Sequence, residues 1–139
     1  MKATIRAYKD SDYEAVKQTL KECNHYNPDL DTKQKLHKKI VADPESILVA
    51  EIDGTVIGNV YFIDDSWNPT VWRLAVRSEY RKKGVGETLV KEVEKILKKR
   101  GRDEIRLFTG IHKVENIKYY QRLGYTALPT VQQVMQKRL

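Results

Sequence analysis

The chain has 139 residues, a net charge of +7, one cysteine, and ordinary shares of apolar (40%) and charged (32%) residues. That is one domain's worth of sequence with a core of its own, and no apolar run approaches the roughly 18 residues that a membrane span needs. A single cysteine, Cys23, excludes an intramolecular disulfide, and no set of His, Cys, Asp and Glu has metal-ligand spacing, so neither a metal nor a membrane is expected.

Met1 to Arg6 alternates like a strand and lacks the apolar stretch of a secretory signal, which makes a cytoplasmic location the expectation. Thr4 to Ala7 reads as the first strand. Ser11 followed by Glu14 is a capping-box pattern, and Tyr13, Val16, Leu20 and Cys23 then mark one face of a helix. The stretch from Asn24 to Pro28 breaks it. Asp31 and Thr32 are placed to cap a second helix with Leu36, Ile40 and Val41 on its apolar side.

After a turn at Asp43 to Ser46, the runs Ile47 to Ile52 and Val56 to Ile63 read as strands joined through Asp53-Gly54, a strong hairpin signal. Gly58 inside the second run marks a bulge or a close backbone approach. A loop from Asp64 to Pro69 leads to a strand from Thr70 to Val76. A long helix follows Gly86, with Leu89, Val90, Val93, Ile96 and Leu97 at helical spacing, and Arg100-Gly101 ends it. Glu104 to Thr109 returns as a strand, far enough on for a parallel crossover. A short helix spans Val114 to Leu123 with Gly124 as its C′ residue. Tyr125 to Leu128 and Val131 to Lys137 read as closing strands. The order β-α-α-β-β-β-α-β-α-β-β implies an α+β, or mixed α/β, single domain over residues 1–139 built on a central sheet.

The most informative stretch is Arg81-Lys82-Lys83-Gly84-Val85-Gly86, a basic glycine-spaced loop opening directly into a helix. Such a start presents unsatisfied amides and the positive end of the helix dipole, the glycines let an anion approach, and three cations surround it. The ligand class is a pyrophosphate. A nucleotide P-loop needs Gly-Lys-Ser/Thr where this chain has Gly86-Glu87-Thr88, and a dinucleotide fingerprint needs glycine where it has Leu89.

With Leu74-Ala75-Val76 leading into Arg81, Gly84 and Gly86, and with Tyr120 preceding Gly124-Tyr125, the chain resembles the GNAT superfamily of N-acetyltransferases. The resemblance covers essentially the whole chain, and its specific part runs from about Val71 to Tyr125. It implies a GNAT-like central mixed sheet whose strands splay around acetyl-CoA, the cosubstrate. It implies that the backbone of Leu74, Ala75 and Val76 holds the pantetheine arm and that Arg81, Lys82, Lys83, Gly84, Val85 and Gly86 hold the pyrophosphate, mostly through amides from Lys82 onward. It implies that Asn116 contacts the coenzyme and that Tyr120, protonated at neutral pH, is the general acid for the leaving thiolate. The partners implied are acetyl-CoA and an amine acceptor, with no nucleic acid, in a monomer or a homodimer.

Some similar proteins carry a glutamate just before the Leu-Ala-Val segment. Here Ser66 to Thr70 holds no carboxylate, and Asp64 and Asp65 lie just upstream, as water-relayed bases or as solvated loop residues. His25 and Tyr26 fall in a segment that roofs the acceptor in similar proteins. Trp67 and Trp72 are candidates for the acceptor groove, with Trp72 also fitting a sheet face. His112 reads as structural, and Cys23 as inert core on the apolar side of its helix. Two rivals stand beside an acetyltransferase: a non-catalytic acyl-CoA-binding module, and a basic nucleic-acid binder, for which the sequence offers only scattered charge.

Overall fold

The computed structural model describes residues 2–139. The elements follow in the order β1 (Thr4–Ala7), α1 (Tyr13–Glu22), α2 (Lys33–Ala42), β2 (Ile47–Ile52), β3 (Thr55–Ile63), β4 (Thr70–Val76), α3 (Val85–Lys99), β5 (Arg106–Leu107) and α4 (Val114–Arg122). Short 3-10 turns precede α1 and follow β4. The chain divides into one compact unit through Leu107 and a second, Phe108–Leu139.

In the first unit the strands lie in sequence order, antiparallel from β1 to β4, with β5 parallel to β4. The turn between β2 and β3 is the two-residue type that the sequence announces. Ile52 pairs with Thr55, and Asp53 and Gly54 both have positive φ (50° and 80°), as a hairpin of this twist demands. Apolar side chains cover both faces of the sheet. α3 contributes Leu89, Val93 and Leu97 to a cluster with Leu48, Ile57, Val60, Phe62 and Val71, while α1 and α2 contribute Val16, Leu20 and Leu36 to a cluster with Ile47, Val49, Val56, Tyr61 and Ala75. Burial on both faces explains the near-continuous apolar runs of β2 and β3.

Helix ends follow local rules. α1, α3 and α4 all stop in Schellman motifs, with Asn24, Gly101 and Gly124 in the left-handed region (φ 58°, 87° and 97°). In each case the next amide reaches back to the third-last helix carbonyl, as Tyr125 does to Tyr120 at 3.0 Å. Asp12, not Ser11, holds the N-cap position of α1, and its carboxylate turns back to the preceding turn and strand, taking the Lys9 N–H at 3.0 Å and the Arg6 guanidinium at 2.8 Å. Thr32 caps α2 by accepting from Lys35 N–H. Its neighbour Asp31 is buried and turned elsewhere, and Val41 is exposed rather than apolar-side core.

Two expected strands are not formed. Residues 125–139 contain no helix or strand, and Leu128, Val131, Val134 and Met135 are exposed. A strand exists only by pairing; α4 is the one regular element of the second unit, so this segment finds no ladder there. β5 is likewise shorter than the expected Glu104 to Thr109, because only Arg106 and Leu107 find partners, Thr70 and Val71.

Candidate active site

The central feature is β4. On one side it is zipped to β3; on the other it pairs with β5 only through Thr70 and Val71. The ladder between β4 and β5 ends at Val71 and Leu107, ahead of Leu74 to Val76. Backbone groups left open along a strand edge can bind an extended amide-bearing ligand as a strand would.

Two irregularities set this edge. Ala50 pairs with Gly58 and Glu51 with Val56, so Ile57 is an extra residue in β3, and its carbonyl receives Arg77 N–H at 2.9 Å. Asn59 pairs with Ala75 and Tyr61 with Trp72, which sets Arg73 and Leu74 against Val60 alone. That second bulge puts Arg73 at φ 53°, and the Asn59 side-chain amide donates to its carbonyl at 2.9 Å. Gly58 is required by space: a Cβ there would lie 3.1 Å from the Ala75 carbonyl oxygen and 3.4 Å from Leu89 Cδ1 and Val76 Cγ2.

The basic loop follows. Lys82 and Gly84 both have positive φ (60° and 81°), and α3 begins after Gly84 with no side-chain cap. The first helical hydrogen bond runs from Thr88 N–H to Gly84 O, so the amides of Val85, Gly86 and Glu87 have no helix carbonyl to bond. Val85 is buried in the α3 cluster, whereas Arg81, Lys82 and Lys83 are exposed. Arg81 folds back, donating from Nε to the Val76 carbonyl at 2.9 Å and lying 3.1 Å from Cys23 Sγ. Cys23 is thus half-buried beside the end of β4 rather than inert core.

In the second unit, Asn116 and Tyr120 stand one turn apart on α4, Asn116 exposed and Tyr120 half-buried. The Tyr120 ring packs edge-on against Tyr119 and Tyr125, with centroids 5.2 and 5.8 Å away. Burial, then the neighbouring Tyr119, pushes the Tyr120 phenol up to about 12, so it stays protonated at neutral pH.

A strand edge that loses its β5 partner after Val71 and runs into a glycine-started helix accords with the splayed strands and glycine loop that the resemblance implies. The Acetyltransferase (GNAT) family model matches residues 10–125. The chain belongs to the GNAT acetyltransferase family. An acetyltransferase of Yersinia pestis is 30% identical over 135 residues, covering 97% of this chain and 94% of its own. The crystal structure of PaiA N-acetyltransferase from Thermoplasma acidophilum in complex with coenzyme A superposes with a TM-score of 0.84 at 26% identity, covering 94% of each chain. AAC(6′)-Iy, in complex with the bisubstrate analog CoA-S-monomethyl-acetylneamine, shares the fold (TM-score 0.80, 17% identity, 99% and 100% covered). This GNAT protein is an acetyl-CoA-dependent N-acetyltransferase, with acetyl-CoA as cosubstrate.

The other sequence candidates are placed as follows. Burial raises the Asp64 carboxyl, but hydrogen bonds from Arg102, Arg100 and the Ser66 N–H outweigh it and hold its pKa below the usual carboxylate value. Asp65 accepts from Trp67 N–H at 3.0 Å in a local turn. Trp67 is 83% exposed and, with Ser66, Asn68 and Pro69, faces Gly101 to Glu104 across a polar depression of about 220 Å³. Trp72 lies on the sheet face with its indole N–H on Thr70 Oγ1. His112 is exposed. Among the described residues no helix is long and apolar enough to cross a membrane, and no group of three or more His, Cys, Asp and Glu could hold a metal.

Sequence reading missed Asn59, Asp31 and Arg73. One signal was available: Arg73 is a lone charge inside the apolar run Val71 to Val76, and a half-buried charge in a strand requires a partner.

Proposed function

We propose that this GNAT enzyme transfers the acetyl group directly to a primary amine within a ternary complex. The parting of β4 from β5 just before the Gly84 helix start carries this reading. The pantetheine arm lies along the open backbone of Leu74, Ala75 and Val76. The amides from Lys82 to Glu87, with Arg81, Lys82 and Lys83 around them, hold the pyrophosphate, and Asn116 adds a contact. The neutral amine attacks the thioester carbonyl, forming the C–N bond. The tetrahedral intermediate collapses with cleavage of the C–S bond, Tyr120 protonates the departing thiolate, and the surplus amine proton leaves to solvent.

The acceptor amine must be neutral to attack. Asp64 is held by two arginines and Asp65 by a turn, so neither is a free base. A lysine-type amine with a pKa near 10.4 would need about 4 kcal/mol of deprotonation at pH 7.4, whereas an α-amine near 7.8 needs well under about 1 kcal/mol. This favours an acceptor with an α-amine.

Thermal unfolding with acetyl-CoA, against ATP and NAD as controls, tests the coenzyme site. Saturation at about 100 times the dissociation constant adds about 2.7 kcal/mol and raises the midpoint by several degrees. A panel of Ala-Ala-Ala amide, Nα-acetyl-lysine amide and spermidine, followed by thiol release, then tests transfer. Acetyl-CoA binding without turnover of any amine would favour a non-catalytic acyl-CoA-binding module. No shift at all would refute the coenzyme site.

A further inference from the structure

We propose that Asp31 is a positioning residue for the amine acceptor, latching the loop between α1 and α2 onto the bulge of β4 through Arg73. The inference rests on the reading of β4 as the coenzyme strand. Asp31 is 1% exposed, and its carboxylate gathers partners from three directions. Arg73 Nε lies 3.2 Å from both of its oxygens, the Tyr61 hydroxyl donates to Oδ1 at 3.2 Å, and Asn27 N–H donates to Oδ2 at 2.8 Å. The Asp31 carbonyl accepts from the Tyr13 hydroxyl at 2.8 Å, and its N–H bonds back to Asn27 O at 2.8 Å. The loop is thereby closed on itself and tied to α1, β3 and β4 through one residue.

Arg73 links two tasks. Its backbone is the bulge, held by Asn59, and sits at a positive φ that glycine would adopt more easily. Its side chain crosses the α1–α2 face to reach Asp31. A side chain at such a position is retained for what it contacts, and here it contacts a buried carboxylate. The guanidinium charge is spent on Asp31, so Arg73 is no anchor for a substrate anion. The coenzyme takes the β5-side edge of the next residues, Leu74 to Val76. The segment between α1 and α2 runs from Cys23, whose Sγ is 3.4 Å from the Val76 carbonyl, to Asp31 against Arg73, so it borders the same stretch of β4 to which the coenzyme is assigned, and this proposal gives it the amine.

The two roles of Arg73 separate by mutation. Arg73→Gly keeps the bulge, because glycine takes φ 53° freely, but removes the latch. Asp31→Asn keeps an acceptor for Asn27 N–H and removes the charge. Acetyl-CoA affinity should stay within about twofold of wild type in Arg73→Gly, while the amides of Asn27, Leu30 and Asp31 exchange with deuterium about tenfold faster. With the most rapidly acetylated of the three panel amines, the amine KM should rise about tenfold while the acetyl-CoA KM holds. Unchanged exchange in the loop, or an unchanged amine KM, in folded Arg73→Gly overturns the proposal. Should Asp31→Asn fail to fold, Tyr61→Phe, which removes one donor to the same carboxylate, must show a smaller change of the same sign. Failure of the wild type to bind acetyl-CoA would refute the reading of β4 instead, and the loop exchange would still decide the latch.

Discussion

Gly58→Ala isolates the contact that sets the coenzyme strand. The new methyl carbon would sit 3.1 Å from the Ala75 carbonyl oxygen and 3.4 Å from Leu89 Cδ1 and Val76 Cγ2. Leu89 can rotate a little; the carbonyl cannot, because Ala75 is in register with Asn59 and Arg77 N–H is tied to Ile57 O. β4 must therefore shift by a few tenths of an ångström. Overpacking of this kind costs about 1–3 kcal/mol, and the lower unfolded-state entropy of alanine returns about 0.4–1 kcal/mol. The net loss of about 1–2 kcal/mol lowers the melting midpoint by roughly 3–8 °C in a chain of this size. Because the shift falls on Ala75 and Val76, acetyl-CoA affinity measured by calorimetry should drop several-fold. Gly54→Ala is the control: it has open space around its Cβ and φ 80°, so it destabilises through torsion alone, far from β4. A Gly58→Ala protein with wild-type acetyl-CoA affinity and a lowered midpoint would refute the assignment of the coenzyme to this strand. An unchanged midpoint would refute the packing argument itself.

Tyr120→Phe should lower kcat by about 100-fold while leaving acetyl-CoA affinity unchanged, as expected for loss of a general acid. With the phenol pushed up to about 12, the wild-type rate should show no alkaline limb from this residue below about pH 11. The Asp64 carboxyl sits below its ordinary value, so the stability it adds is complete above about pH 5 and is lost as the pH falls through its folded value. Asp64→Asn should accordingly be less stable at pH 7, with a shallower acid limb in denaturant titrations. Burial pushes the Lys39 ammonium down to about 8, with Asp43 opposing. Between about pH 8 and 10.4 the unfolded chain binds more protons, so stability should rise with pH there, and Lys39→Met should abolish that rise.

What the sequence made legible was whatever local chemistry alone decides. The Asp53-Gly54 hairpin and the Gly101 and Gly124 helix stops are fixed by local dihedral freedom, and each appears where composition put it, while α3 begins at Val85 after Gly84, two residues ahead of the expected start behind Gly86. Gly58 was readable as a close approach, although the atom it approaches, the Ala75 carbonyl, was not. Partnerships across long sequence distances were hidden. Asp31 has the composition of a helix cap and stands beside a residue that does cap, yet its real partners lie 30 and 42 positions away. Asp12 displaced Ser11 at the head of α1 through nearer partners, the Arg6 guanidinium from β1 and the Lys9 N–H from the turn that follows it. The closing strands failed differently. Val131 to Lys137 has the apolar content of a strand, but alternation states only what a segment would pair with its face, not whether an edge is there to receive it.

Among the described residues, five non-glycine residues have positive φ: Asn24, Asp53, Ser66, Arg73 and Lys82. Three of them have local reasons. Asn24 ends a helix, Asp53 forms a hairpin turn, and Ser66 sits in a loop where its N–H bonds Asp64 and its hydroxyl bonds Asp65 O. Arg73 sits in the β4 bulge and Lys82 in the basic loop, and the two bracket the strand end and loop to which we assign the coenzyme. Glycine would relieve both positions, so a long cationic side chain at each is explained by what the charge does there. At Arg73 the charge is answered inside the protein, by Asp31. Lys82 is exposed beside the open α3 amides, where the proposed reading sets the pyrophosphate. On the proposed reading the two residues divide the work: Arg73 holds the loop between α1 and α2, and Lys82 draws in the anion.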